Sequence, residues 1–348
     1  MNPFVLSITI LSLTMGTMIT FSSSHWLLAW IGLEINTLAL IPLMAQHTHP
    51  RAIEAATKYF IIQATAATLI LYMALTNAWL TGQWDIGQVS HPLIITITTL
   101  ALGAKLGMAP THFWLVDTLQ GLNWGTGLIL STWQKLGPLA LMYQLAWEMT
   151  PGLPLTLGVL SIFMGGWGGL NQTQLRKVMA YSSVTHMGWM IVIMEYLPNL
   201  MAFTLIIYLV LTTSTFLALK MMKVTSINML TMAWTKDPLL TGILMMGLLS
   251  LGGLPPLTGF LPKWMILQEL VNQEMQLVAL IMAMATLLSL YFYLRLTYSM
   301  ILTIFPTPIN LKTMWRHSKS GHSSFLMAVL LTHALLLLPL APAALAAM

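Results

Sequence analysis

The chain has 348 residues, of which 57% are hydrophobic and only 7% are Asp, Glu, Lys or Arg. A soluble protein carries about 25% charged residues because its surface must be wet, so fourteen bases and nine acids exclude a soluble enzyme, a disordered tail and a nucleic-acid binder, despite a net charge of +5. With no cysteine there is no disulfide framework, thiolate metal site, iron–sulfur cluster or cysteine nucleophile, and what remains is an all-α polytopic membrane protein.

Met1-Asn2-Pro3-Phe4 runs directly into apolar sequence, without the basic n-region of a signal peptide or the Arg-rich pattern of a transit peptide. That suits insertion into a bacterium-like membrane or synthesis inside the organelle that uses the chain. Crossing about 30 Å of hydrocarbon takes roughly 20 apolar residues. Helical spans are expected at 3–21, 25–45, 57–80, 92–120, 124–146, 152–170, 176–194, 198–220, 238–271, 275–304 and 324–347, eleven in all. The fourth and ninth are too long for plain spans. One contains Gly107-Met108-Ala109-Pro110 and the other Gly252-Gly253-Leu254-Pro255-Pro256. Proline removes a donor and clashes with the preceding turn, so both helices should break there.

The loops fix an orientation. On one side lie Arg51, Lys58, Arg176, Lys177, Lys220, Lys223, Lys236, Lys312, Arg316 and Lys319; the other side holds no base, but Asp85, Glu148, Glu195, Glu269 and Glu274. Ten bases against none is a clean positive-inside split, with the N-terminus on the positive side (cytoplasm or matrix) and the C-terminus opposite.

Lys105, Lys135, Lys263, Arg295, Glu34 and Asp117 are left within spans. A charge at the bilayer centre costs at least ~2.5–3.5 kcal/mol, so such groups face protein or water and commonly serve transport. Asp117 and Arg295 lie nearer span ends, where a structural ion pair or snorkelling explains them as well. Glu34, Lys105 and Lys135 are close to mid-span, where snorkelling is hardest. Lys263 follows the second break.

The broken spans are five apart, which reverses orientation. Residues 1–147 and 152–304 therefore read as two inverted five-helix repeats, each with a broken fourth helix, within a single transmembrane domain covering 1–348. The additional C-terminal helix at 324–347 lies outside them. Inverted repeats with discontinuous helices are a common transporter plan. Glu34 matches His186 in this register, Lys105 matches Lys263, and Lys135 matches Arg295. There is no phosphate loop, metal-ligand cluster or nucleophile–base–orienter triad. His47 and His49 read as solvated loop residues; His112 either lines a polar cavity or caps the broken helix. Trp26, Trp79 and Trp84 read as part of an interfacial belt. A row of buried lysines with a glutamate and a histidine suits protons, not organic substrates.

Four stretches carry a resemblance: Trp30-Ile31-Gly32-Leu33-Glu34-Ile35-Asn36, residues 102–114 around Lys105-Leu106-Gly107-Met108-Ala109-Pro110, Trp133-Gln134-Lys135-Leu136-Gly137-Pro138, and residues 253–264 from Gly253-Leu254-Pro255-Pro256 to Lys263-Trp264. They closely resemble the chain 2 family of mitochondrial NADH:ubiquinone oxidoreductase, respiratory complex I, over essentially the whole chain. The 28 methionines fit an animal mitochondrial gene, where an extra codon is read as Met. The animal form lacks three leading helices of its bacterial relatives, so the resemblance also implies eleven spans.

The resemblance implies an antiporter-like core subunit of the membrane arm, in the mitochondrial inner membrane with the N-terminus on the matrix side and the C-terminus on the intermembrane-space side. It implies no redox centre, cofactor or metal on this chain; NADH, FMN, iron–sulfur clusters and ubiquinone would be bound by other subunits. Expected partners are the chain 4 antiporter-like subunit, the side formed by chains 4L and 6, and lipids such as cardiolipin, with no nucleic acid. Glu34 would pair with Lys105, Lys135 would be the central connecting lysine, and Lys263 the lysine of the second broken helix. His186, and on its own residues His112, are candidates for a polar axis. The alternative of a different class is a partner-dependent cation/proton antiporter.

Overall fold

A computed structural model of the chain describes residues 3–46, 49–89, 91–150 and 152–302, with 328 and 332 singly. Apart from 328 and 332, the span expected at 324–347 lies outside the described residues, as do the preceding basic loop and His47. Within them the fold is helical: α1 Pro3–Ser22, α2 Trp26–Met44, α3 Pro50–Thr81, α4 Pro92–Leu106, α5 Phe113–Gly121, α6 Trp124–Ser131, α7 Trp133–Leu145, α8 Leu153–Gly169, α9 Leu175–Met194, α10 Pro198–Met222, α11 Ile227–Thr231, α12 Ala233–Lys236, α13 Pro238–Gly252, α14 Phe260–Asn272 and α15 Gln276–Ile301. Helices α1, α2, α3, α10 and α15 are each long and apolar enough to cross a bilayer. Their outward faces carry large apolar side chains such as Phe4, Leu11, Met15, Met18 and Leu277, as lipid contact requires.

The helix starts have local causes. His25, His49 and His91 each accept a hydrogen bond at Nδ1 from the backbone N–H two residues on, at 3.2 Å, which satisfies a donor the first turn leaves free. Proline follows His49 and His91 at the first helical position, where its fixed φ is already helical. His49 is thus an exposed capping residue rather than a bare loop histidine. Helix α3, at 32 residues, is about 48 Å long; its first turns, with Arg51, Glu54 and Lys58, extend beyond the hydrocarbon length.

Two compact units divide the chain: the first runs to Ser161 and includes Met190–Pro198, and the second comprises Ile162–Trp189 and the chain from Asn199 onward. In the first unit, α1 and α2 approach at Gly16 and Gly32, where a Cβ on either would come within 2.9 Å of the other's carbonyl oxygen. Such close backbone packing needs small residues, and it replaces the hydrophobic driving force that lipid cannot supply. Trp30 Nε1 donates to the Ala67 carbonyl at 3.1 Å, joining α2 to α3. Gly137 brings α7 against Leu33 of α2, and Gln134 Nε2 donates to the Asn36 carbonyl at 3.0 Å. In the second unit, Gly165 lets α8 lie on the Tyr181 backbone of α9, and Gly166 and Gly169 meet Leu288 and Phe292 of α15.

Three expectations change. The span read as one helix over 124–146 is interrupted at Thr132, between α6 and α7. Thr132 Oγ1 donates to its own i−4 carbonyl, Leu128, at 2.6 Å, a bond that bends helices, and Pro138 leaves the next turn without a donor. Trp26 is 1% exposed, so it packs inside rather than at a lipid interface, whereas Trp79 is 90% exposed. The segment after α10, read as loop, forms the short helices α11 and α12.

Candidate functional site: lysines at two helix breaks

Helix α4 stops because Gly107 adopts the left-handed conformation, φ 75° and ψ 40°, which costs glycine almost nothing. Its N–H bonds back to the carbonyls of Ala104 and Gly103, and Pro110 lies in the six-residue gap before α5. Side chains from three helices hold this break. Gln63 Nε2 of α3 donates to the Lys105 carbonyl at 3.2 Å, Trp114 Nε1 of α5 to the Ala104 carbonyl at 3.0 Å, and the Ala109 N–H donates to Ser161 Oγ of α8 at 3.1 Å. His112 sits inside the break, 1% exposed; it makes no capping bond to α5 and interacts with the Pro110 carbonyl.

Lys105, in the last turn of α4, is 5% exposed, and its ammonium makes no hydrogen bond among the described residues. It lies in the electrostatic field of Glu34 on α2, which also reaches the buried Tyr59 of α3. The expected direct Glu34–Lys105 pair is not made: the Lys105 ammonium has no hydrogen-bond partner among the described residues. The Glu34 carboxylate instead accepts from Thr37 Oγ1, one turn along, at 2.9 Å. Lys135 is 3% exposed in the first turn of α7. Gln134 and Gly137 on either side of it touch Asn36 and Leu33 on either side of Glu34. The first unit thus gathers two buried lysines and one glutamate around α2, α4 and α7.

In the second unit, α13 ends at Gly252 before Gly253 in the left-handed conformation, φ 80° and ψ 44°. Pro255 and Pro256 occupy the gap to α14. Lys263, half-buried in the first turn of α14, reaches back across the gap and donates from Nζ to the Gly252 carbonyl at 2.8 Å. A cation is favoured at this negative end of the helix dipole. Lys105 and Lys263 therefore share broken helices but stand on opposite sides of their breaks. His186 on α9 is half-buried, its ring 5.5 Å from that of Tyr208 on α10.

Asp117 and Arg295 each find a protein partner. Asp117 Oδ2 accepts from Lys58 Nζ at 3.0 Å, both half exposed, at a cleft of about 110 Å³ lined also by Arg51, Glu54 and Gln120. Arg295 Nη1 donates to the Leu170 carbonyl at 2.7 Å, closing the C-terminal end of α8. Sequence reasoning missed Gln63 and Ser161, the neutral groups that hold the first break. The only signal for them was a polar residue in an apolar span, and serine and threonine are common in such spans.

Residues 23–289 match the family model "NADH:quinone oxidoreductase/Mrp antiporter, TM", and residues 290–345 match "NADH dehydrogenase subunit 2 C-terminus". NADH-ubiquinone oxidoreductase chain 2 of Formosania lacustris is 58% identical over 342 residues, covering 98% of each chain; that of Salmo salar is 57% identical over 343 residues, 99% of this chain and 98% of its own. This chain belongs to the NADH-ubiquinone oxidoreductase chain 2 family. Among solved structures, a chain of respiratory complex I from Thermus thermophilus is similar with TM-score 0.81 and 28% identity, over 97% of this chain and 80% of that one. A chain of the Mrp complex from a Dietzia species, TM-score 0.78 and 17% identity over 86% and 61% of the two chains, shares the fold. Helices, apolar faces and family together make this a multi-pass membrane protein.

Proposed function

We propose that the chain is a core membrane-arm subunit of respiratory complex I in the mitochondrial inner membrane. It couples NADH oxidation and ubiquinone reduction, carried out on other subunits, to proton translocation through Glu34, Lys105, Lys135 and Lys263. The observation that carries this reading is the placement of two almost fully buried lysines in one unit, with Glu34 in electrostatic reach of the first. A buried lysine is costly to keep charged and gives up its proton readily when a neighbouring carboxylate moves away. The helix breaks next to Lys105 and Lys263 interrupt the backbone ladder, and hydration there would open alternating routes to the two faces. Chain 4 on one side, chains 4L and 6 on the other, and cardiolipin among the lipids are the proposed neighbours.

The match to a family model shared with Mrp antiporters favours, as the second reading, a partner-dependent cation/proton antiporter. Native electrophoresis of mild-detergent extracts separates the two. Migration only with a very large assembly that has NADH dehydrogenase activity is the expected result, and a small independent particle carrying the chain would overturn it.

A further inference from the structure

The two broken helices close their ends by different means. A helix that stops leaves its last carbonyls without intrahelical donors, and in a dry interior each must find one. At the second break the donor for the Gly252 carbonyl is the Lys263 ammonium itself, at 2.8 Å. At the first break Trp114 Nε1 takes the Ala104 carbonyl. The carbonyl of Lys105 takes its donor from another helix, from Gln63 Nε2 at 3.2 Å. Gln63 is 4% exposed, in a helix otherwise rich in Ala, Ile and Leu. The Lys105 ammonium is left buried, without a hydrogen bond among the described residues, and in the field of Glu34.

We infer that Gln63 is a positioning residue that caps the broken helix α4 in place of Lys105, leaving the Lys105 ammonium to interact with Glu34. A lysine has a flexible four-carbon stem and three donors. With Gln63 gone, the freed Lys105 carbonyl at the end of α4 would draw the ammonium to itself, as the Gly252 carbonyl draws Lys263. Lys105 would then cap its helix and no longer respond to Glu34. The inference rests on the proton-translocation reading and goes beyond it by assigning a role to a neutral side chain on α3.

The test uses the assembled complex in proteoliposomes and reads protons pumped per electron from NADH. Gln63→Met keeps length and volume and loses the donor. Gln63→His keeps a ring N–H the same number of bonds from Cα. Ile70→Val trims the same helix away from the break, and Lys105→Ala sets the baseline. Gln63→Met is expected to lower pumping about fivefold, the shift in lysine orientation that one unmade buried hydrogen bond produces. Gln63→His and Ile70→Val should pump normally. Adding Glu34→Gln to Gln63→Met should cause no further loss, although Glu34→Gln alone lowers pumping. A role in packing alone would not give that silence. Full pumping in Lys105→Ala would remove the translocation reading and this inference together. If Lys105→Ala is impaired and Gln63→Met is not, the inference alone is overturned. It is overturned as well if Gln63→Met and Gln63→His are equally impaired or both fail to assemble, or if Glu34→Gln keeps its full effect beside Gln63→Met. If Gln63→Met fails to assemble while Gln63→His assembles and pumps normally, the donor at this position is what matters.

Discussion

Lys263 does two things at one atom, and substitution can separate them. Its Nζ closes the Gly252 carbonyl, and in the proposed mechanism it also gains and loses a proton. Lys263→Met leaves that carbonyl bare, a loss of about 1–3 kcal/mol. It should lower both the yield of assembled complex and its pumping. Lys263→Arg can still donate to the carbonyl, so assembly should recover; pumping should not, because a guanidinium with pKa above about 12 does not give up its proton on demand. Normal proton-to-electron ratios in Lys263→Arg would reduce this residue to a cap. Glu34 and Lys105 allow a second test. They interact across a gap wider than an ion pair, so the coupling is electrostatic and water or side-chain motion must carry any transfer. Glu34→Gln and Lys105→Ala should each lower pumping, and the double variant should be little worse than the worse single one, since non-additivity marks residues that act on one step. Strictly multiplicative losses would show that they work independently.

The two glycine hinges differ in what lies beside them, and that difference sets a prediction for the broken elements. Gly107 and Gly253 have nearly the same left-handed conformation, so alanine at either should cost about 1–2 kcal/mol in strain. A Cβ on Gly107 would come 3.1 Å from Leu115 Cδ1, which can shift slightly; one on Gly253 would come 2.8 Å from Lys263 Nζ and 2.9 Å from its Cδ. Gly253→Ala should therefore displace the lysine and lower pumping well below Gly107→Ala at equal assembly. Equal pumping in the two variants would show that the Lys263 position is unimportant. Glycine and proline within long apolar runs make such breaks legible in a sequence, because both act through local backbone chemistry. Buried charges are legible for a similar reason: so few charges occur that each stands out. The interruption at Thr132 was not legible, since threonine is tolerated in apolar helices and its bond to Leu128 depends on a rotamer. Nor was the separation of Glu34 from Lys105, because depth along two helices does not fix the distance between side chains. Gln63 escaped notice as a neutral residue whose role exists only once α3 lies beside the end of α4.

At the scale of the whole chain, the charge distribution predicts which surface meets which compartment, and the sequence makes the test unusually clean. There is no cysteine, so a single introduced cysteine is the only thiol on this subunit. Within the first unit, Ala45 follows α2 and Gln83 follows α3; both are exposed and one long apolar helix separates them. Ala45 lies near Arg51 and Gln83 near Asp85. Because basic loops stay on the side from which a chain is inserted, Ala45→Cys should react with a membrane-impermeant maleimide only from the matrix side, and Gln83→Cys only from the intermembrane space. Within the second unit, Asn171 follows α8 near Arg176, and Asn272 is the last residue of α14, between Glu269 and Glu274; both are exposed. Asn171→Cys should label from the matrix and Asn272→Cys from the intermembrane space. The second pair tests the broken helix, for α13 and α14 must together make one crossing if Lys263 is to lie on a path between the two faces. Labelling of Asn272→Cys from the matrix would mean that α14 returns to the side it came from. Lys263 would then sit in a re-entrant segment, and a proton path through it to the other face would have to be abandoned. Sealed mitoplasts and inverted inner-membrane vesicles give the two accessible faces, and mass shift on the isolated subunit gives the readout.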